Sequence, residues 1–415
     1  MINRPQYLKE LLSFKDSNII KVVTGVRRCG KSTLFDLYKA ELLKQGVTEK
    51  QIQIIKLEEF ENEKLLDYRQ LHQHIMDNLV KDKQNYVFLD EIQNVPDFQK
   101  AVRSLFEKPN IDLYLTGSNS RLQSGQWATS LAGRYVEIKM FPLSFKEFST
   151  TYSETALQNL DKIYKDYLTY SSFPYALFFV QHNSPDVLKQ INTYIEGIFD
   201  TIILRDVMEN SGISEESRLR RVIKFMASCV GSEVSMKKIS DVMTEDGTKI
   251  QPQTIENYID GFKNAHILYQ ADRYDVKGKK ILKTLNKFYF VDMGIRQYLL
   301  GNTDKDSGHI LENIVYLELL RRGYKVYVGK VDIKDKDGKY KSLEIDFIAE
   351  NSNGVEYYQV ANSVLDENVL KRELASLDAV RNHYPKFILT RDYGTADYNG
   401  IKKLNVLEWL MRSEN

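Results

Sequence analysis

Apolar residues in this chain gather in short runs separated by stretches of helical spacing. Ile19 to Val23 is mostly apolar and reads as a buried strand, and Leu34 to Leu43 after it reads as a helix. Tyr86-Val87-Phe88-Leu89 and Ile111-Asp112-Leu113-Tyr114-Leu115-Thr116 are further strand candidates. From about Glu154 to Glu209 the period changes. Leu157, Leu160, Ile163, Tyr164, Tyr167 and Leu168 recur three and four apart, which predicts a helical lid on the domain before it. Val222, Phe225, Met226 and Val230 mark another helix, and Met236 to Met243 a short second one. Gln251-Pro252-Gln253-Thr254 opens a third, with Pro252 suited to a first turn. Lys277-Gly278-Lys279 then makes the turn of a hairpin within Val276 to Leu282. Helix, helix, turn, helix, hairpin is the order of a winged helix-turn-helix. Last come a helix at Ile310–Leu320 and strands at Tyr324–Val328, Ser342–Ala349 and Glu356–Ala361. A helix at Glu367–Asn382 and a strand at Phe387–Thr390 complete the order of a nuclease-like core.

Composition narrows the function classes. At 415 residues the chain has room for several domains, and its 42% apolar content lets each build a core. Lys+Arg 58 against Asp+Glu 57 leaves no global basic footprint, so any nucleic-acid contact has to come from a local patch. Cys29 and Cys229 are too few for a disulfide framework, which points to a reducing, cytoplasmic setting. No apolar run has the length of a membrane span, and the polar N-terminus lacks the apolar stretch of a signal peptide.

The chemistry starts at Gly25-Val26-Arg27-Arg28-Cys29-Gly30-Lys31-Ser32-Thr33, which matches G-x-x-x-x-G-K-[ST] between a strand and a helix. Glycines let backbone N–H groups turn toward phosphate oxygens, and the helix N-terminus adds partial positive charge. Lys31 is expected to reach the β- and γ-phosphates, and Ser32 to offer its hydroxyl to Mg²⁺. Arg27 and Arg28 would point toward phosphate or away from it; the sequence leaves both open. Asp90-Glu91 ends the strand that begins at Tyr86, at the edge where an open α/β sheet presents its site. Asp90 is expected to hold Mg²⁺ through water, and Glu91 to act as general base on the attacking water. After Thr116, the stretch Gly117-Ser118-Asn119-Ser120 offers a polar sensor of the γ-phosphate: Asn119, with Thr116 second, or else a plain turn. Arg134, in Leu131-Ala132-Gly133-Arg134-Tyr135, is a candidate to neutralise charge on the γ-phosphate in its own or a neighbouring subunit, or else a surface arginine. Arg4 and Tyr7 precede the first strand and are candidates to line a base pocket.

Thr24 to Thr33, Leu89-Asp90-Glu91-Ile92-Gln93-Asn94-Val95-Pro96, Thr116-Gly117-Ser118-Asn119-Ser120 and Gly133-Arg134-Tyr135 leading into Phe141-Pro142-Leu143-Ser144-Phe145 resemble a family of prokaryotic AAA/STAND-like ATPases. The resemblance covers essentially the full length. It implies ATP as the nucleotide, an ATPase core, a winged-helix middle and a C-terminal domain with a restriction-endonuclease-like fold. The expected class is therefore α/β: a P-loop parallel sheet (residues 1–150), a helical lid (151–210), a winged helix-turn-helix (211–295) and a nuclease-like domain (296–415). Where the family often carries Gly-Gly-x-Pro, this chain has Ser171-Ser172-Phe173-Pro174, so the bend there must be built differently.

Two candidate sites lie beyond the ATPase core. Arg273, Lys277, Lys279, Lys280, Lys283 and Lys287 form a basic strip along the hairpin, a place for DNA or for a protein partner. In the C-terminal domain Asp346 fits the first acid of a metal-dependent nuclease and Glu312 an accessory acid. Gln359 and Ala361 stand where a second acid and a lysine are needed, and Lys371 is the substitute lysine within reach in sequence. A neutral amide binds a hard cation poorly and alanine cannot stabilise the attacking water, so nuclease activity is not expected. The reading that results is an ATP- and Mg²⁺-dependent ATPase that switches conformation toward a protein partner, with oligomerisation open. The alternative is an ATP-gated nucleic-acid-binding protein of defence or repair type, with or without residual nuclease activity.

Overall fold

The computed structural model describes residues 2–117, 131–182, 184–209, 212–301, 307–334 and 339–412, with the side chains of 283 and 284 outside that description. Its described residues divide into two compact units: residues 1–142 with 264–266, and residues 143–263 with 267–415.

The first unit runs α1 (Pro5–Ser13), β1 (Ile20–Thr24), α2 (Lys31–Lys44), β2 (Ile52–Lys56), α3 (Tyr68–Asp77), β3 (Asn85–Asp90), α4 (Phe98–Phe106), β4 (Ile111–Gly117) and β5 (Tyr135–Lys139). The strands form one sheet in the order β2-β3-β4-β1-β5, every neighbouring pair parallel. Parallel strands need crossovers, and helices supply them, so both faces of the sheet are covered and its strands are apolar almost throughout. On one face Leu71 and Ile75 of α3 and Val102 and Leu105 of α4 join Val22, Val87, Leu89, Leu113 and Leu115 in one core. Elsewhere in the unit Phe35 and Tyr38 of α2 meet Phe88 and Tyr114, with Phe88 stacked on Tyr114 at 4.6 Å. Lys21, the polar residue inside the first apolar run, is fully buried and bonds Asp112 Oδ1 at 2.5 Å. Burying one of that pair without the other would leave an uncompensated charge.

The second unit begins with α5 (Phe145–Ser149), α6 (Leu160–Tyr170), α7 (Ala176–Gln181) and α8 (Val187–Thr201), which passes into a π-helical segment over Ile202–Glu209. There follow α9 (Glu216–Ser228), β6 (Glu233–Val234), α10 (Met236–Glu245), α11 (Pro252–Asn264, whose last residue clusters with the first unit), β7 (Leu268–Asp275) and β8 (Lys280–Phe290). The remainder is α12 (Met293–Leu300), α13 (Ser307–Arg321), β9 (Lys325–Lys334), β10 (Tyr340–Asn351), β11 (Gly354–Ala361), α14 (Glu367–Asp378), β12 (Lys386–Thr390), β13 (Ala396–Tyr398), β14 (Ile401–Asn405) and α15 (Val406–Met411). Its strands form a mixed sheet in the order β13-β14-β12-β11-β10-β9-β7-β8-β6. The hairpin β7–β8 is therefore not a projecting element. β7 pairs in parallel with β9, from Asp272↔Tyr327 to Asp275↔Lys330, so the hairpin is continuous with the C-terminal strands.

The bend at Ser171-Ser172 is built from a carboxylate. Ser171 takes φ 69 without being glycine. Its hydroxyl donates to Asp292 Oδ1 at 3.0 Å, and the N–H and hydroxyl of Ser172 both donate to Asp292 Oδ2 at 2.6 Å. The same Asp292 caps α12 by accepting from Ile295 N at 2.9 Å. Gly294 makes room for this arrangement, since a Cβ there would stand 2.5 Å from the Ser171 Cβ.

Candidate functional site in the first unit

The register of the parallel sheet brings the candidate residues together. β4 lies between β1 and β3, with Val23 opposite Thr116 and Leu89 opposite Leu115. The loop after β1, the acids ending β3 and Thr116 of β4 therefore share the C-terminal edge of the sheet, where an open α/β fold places its ligand.

Two glycines make the loop possible. Gly25 has φ 151, and a Cβ on it would stand 2.1 Å from the Met140 carbonyl oxygen. Gly30 has φ 106 and sits immediately before α2. Val26 and Cys29 face inward and are fully buried, and burial pushes the Cys29 thiol up. Arg4, proposed from sequence for a base pocket, braces the loop. Its guanidinium donates to the Cys29 carbonyl at 3.1 Å and to the Phe141 carbonyl at 2.7 Å, and Tyr7 Oη accepts from Phe141 N at 3.1 Å. Arg27 pairs with Glu58 at 3.0 Å, and Arg28 is exposed at φ 67.

Lys31 opens α2 with its ammonium buried in the loop, 3.1 Å from the Gly25 carbonyl and 3.6 Å from Glu91 Oε1. Asp90 is buried and bonded to the hydroxyls of Ser32 and Thr116, the latter at 2.5 Å. Burial pushes the Asp90 carboxyl up, while those two hydroxyl bonds oppose the shift. Thr116 Oγ1 also accepts from Glu91 N at 2.8 Å, so one side chain orients both acids. Glu91 is nearly buried at φ 54, a left-handed conformation uncommon for a residue with a Cβ, and Gln93 Nε2 donates to its Oε2. The donor set of hydroxyl and carboxylate oxygen at Ser32 and Asp90 fits a hard divalent cation. Thr33 is half-buried in the first turn of α2.

Two sequence candidates stand apart. Asn119 falls outside the described residues. Arg134 does not join the loop of its own chain. It precedes β5, its carbonyl accepts from Ile20 N at the start of β1, and its guanidinium lies 5.9 Å from the Phe106 ring. Those positions mark the N-terminal edge of the parallel strands, opposite the loop.

In the second unit Glu312, Asp346 and Gln359 do meet, but the cation among them is an ammonium. Lys287 Nζ lies 3.0 Å from Glu312 Oε1 and 2.7 Å from Glu344 Oε1. Gln359 accepts from Asp346 N at 2.8 Å and donates to Glu373 at 2.6 Å. Lys371 stays exposed and pairs with Glu367 at 3.0 Å, so it does not replace the missing lysine. The hairpin strip also comes apart. Lys287 is buried, Arg273 pairs with Glu233 at 2.8 Å, and Lys277, though exposed, donates to the Asp332 carbonyl; Lys279 and Lys280 are exposed as well. The side chain of Lys283 lies outside the description. Nothing in the strand pattern flagged Lys287 as inward-facing, because it continues the lysines at Lys277, Lys279, Lys280 and Lys283.

Comparisons with known proteins bear on the family of this chain. The AAA domain family matches residues 17–149, and a domain of unknown function, DUF8612, matches residues 161–306. An uncharacterized protein of Haemophilus influenzae is 39% identical over 415 residues, 99% of each chain. The uncharacterized protein MJ1544 of Methanocaldococcus jannaschii is 31% identical over 373 residues, 87% of this chain and 78% of that one. Among solved structures, the Aeropyrum pernix ORC1 protein in complex with DNA is similar with a TM-score of 0.33 at 10% identity, covering 72% of this chain and 92% of that one. Cdc6p from Pyrobaculum aerophilum gives a TM-score of 0.28 at 15% identity, over 65% and 87%. No helix among the described residues is long and apolar enough to cross a membrane. The phosphate loop, the paired acids and this full-length likeness lead to one statement: the chain belongs to the family of the Haemophilus influenzae protein and MJ1544, and its first unit carries an AAA domain.

Proposed function

We propose that this protein is an ATPase whose hydrolysis cycle switches its conformation toward a protein partner. One observation carries the reading: Lys31, Ser32, Asp90, Glu91 and Thr116 converge at one sheet edge, with Thr116 bonded to both acids. The loop N–H groups and Lys31 bind and orient the phosphates, the ammonium exchanging the Gly25 carbonyl for a phosphate oxygen. Ser32 and Asp90 would hold Mg²⁺, which would supply positive charge to neutralise the phosphates. Glu91, oriented by its N–H bond to Thr116 and its contact with Gln93, accepts the proton of the attacking water. Arg134 is assigned to a neighbouring subunit's site, since it lies away from its own loop.

We further propose that the helices over 151–210, the segment 211–295 as a winged helix-turn-helix and the segment 296–415 as a nuclease-like but inactive domain are what the switch moves. The buried Lys287 among Glu312, Glu344 and Asp346 supports the inactive assignment. A second reading, ATP-gated DNA binding, is favoured by the exposed Lys279 and Lys280.

The test is ATP turnover by the purified protein beside Glu91→Gln, with and without DNA. A fall of about 10²–10⁴-fold in Glu91→Gln with nucleotide binding retained is expected. Equal turnover in both proteins would sink the ATPase reading. Stimulation by DNA, lost on Lys279→Glu with Lys280→Glu, would transfer the switch to nucleic acid.

A further inference from the structure

His266 lies in the turn between α11 and β7, and residues 264–266 belong to the unit of the phosphate loop although Lys263 and Ile267 beside them do not. Its φ is 55, in the left-handed region. The residue is 7% exposed, and its Nε2 has no hydrogen-bond partner among the described residues. A buried polar atom left in that state costs on the order of 1–3 kcal/mol and calls for a physical reason.

The charged groups acting on the ring supply one. They are Lys31, which opens α2 from the loop, and Lys139, which ends β5 opposite Thr24, the residue before Gly25. Both belong to the C-terminal edge of the sheet. Burial first, then the two ammonium groups, push the imidazole down to about 3, so the ring is neutral at physiological pH. A neutral ring carries one N–H, and phosphate oxygens accept hydrogen bonds without donating any. Two ammonium groups and an unpaired, water-excluded ring nitrogen are poor company for one another. Lys31 already contacts the Gly25 carbonyl and Glu91, and Lys139 lies 3.9 Å from Glu137, so what a phosphate oxygen adds is the acceptor that the ring lacks.

We propose that His266 is a nucleotide-contacting residue, its Nε2–H donating to a phosphate oxygen of the nucleotide held by the loop. The proposal rests on the reading of that loop as the ATP site. It also means that nucleotide occupancy restrains the turn that joins α11 to β7, the two elements to which residues 264–266 are directly linked in sequence.

The experiment compares the affinity of a fluorescent ATP analogue for the full chain, His266→Phe, His266→Gln and Lys31→Ala. His266→Phe keeps the ring volume and loses the donor, so binding weakens about tenfold or more. His266→Gln keeps an N–H donor at similar reach and is expected to recover most of the affinity. Unchanged affinity in His266→Phe overturns the proposal. So does a loss in His266→Gln as large as in His266→Phe with both melting temperatures unchanged. Should His266→Phe fail to fold, His266→Leu beside His266→Gln makes the same comparison. Lys31→Ala separates the two layers: full binding in that variant sinks the nucleotide site itself, whereas loss there with unchanged His266→Phe sinks the histidine alone.

Discussion

Lys287 Nζ lies 3.0 Å from Glu312 Oε1, although the two residues are on different elements and 25 positions apart. Both side chains are buried, and Tyr289 Oη donates to the same carboxylate oxygen at 2.5 Å. Burial works against the charge on Glu312, but Lys287, His309 and Tyr289 hold its carboxyl below the usual range. The lysine ammonium thus does what a divalent cation does in an acidic nuclease site. Lys287→Met would leave Glu312 charged, buried and without its cation, at a cost of about 3–5 kcal/mol. Glu312→Leu added to Lys287→Met should recover much of that loss. Urea midpoints of the wild type and both variants check this, and a double variant as weak as the single one would contradict it.

Asp346 gives the same cluster a pH dependence. Burial, then the negative charge of Glu312, push its carboxyl well up, against the pull of Lys287. Its folded-state value therefore exceeds its unfolded one, near 3.9, and between the two the folded chain binds the extra proton. Stability contributed by that proton is complete below the unfolded value and is lost as pH rises through the window, by about 1.4 kcal/mol per pH unit. Asp346→Asn should remove the dependence. Its stability relative to wild type is expected to rise as pH climbs above the unfolded value of about 3.9; a constant difference in urea midpoint would contradict the assignment.

The phosphate loop depends on two features that act from behind it. Arg4→Ala removes the bonds to the Cys29 and Phe141 carbonyls, both buried. A loss of about 2–3 kcal/mol in stability is expected, with weaker nucleotide binding because the loop is no longer braced. Gly25→Ala puts a methyl group 2.1 Å from the Met140 carbonyl oxygen at φ 151. Nucleotide binding should fall below detection in Gly25→Ala, while Arg4→Lys should hold part of it. Calorimetric titration with ATP distinguishes these outcomes.

Asp292 joins Ser171, Ser172 and the start of α12 through one carboxylate. Asp292→Ala removes the acceptor of two hydroxyls and two backbone N–H groups in a buried place, so about 3 kcal/mol of destabilisation is expected. Asp292→Asn, which keeps acceptor capacity at one oxygen, should lose less. Thermal melting of the two variants orders them.

The amino-acid sequence by itself determined β1, α2, β3 and β4 of the first unit and the turn of its loop, while β2, α3, α4 and β5 went unread. Gly25, Gly30, Lys31 and Ser32 act through backbone conformation and local spacing, which a linear pattern records. Apolar runs such as Tyr86 to Leu89 are legible because strands buried on both faces are apolar throughout. The order of helices and strands from Ile310 to Thr390 was legible too, whereas β13, β14 and α15 beyond it were not read. What the tertiary structure decided are contacts between residues distant in sequence. Thr116 became the orienter of Asp90 and Glu91 only through strand order, and Arg134 was carried to the opposite edge because it precedes β5 rather than ending it. Lys287 read as part of a surface strip, but register pairs it with Glu233 and turns its side chain into an acidic core. His266 carried no sequence signal, because a single histidine acquires meaning only from the charges folded around it. Local spacing encodes backbone conformation, whereas charge pairing in a buried place is set by which strands lie side by side.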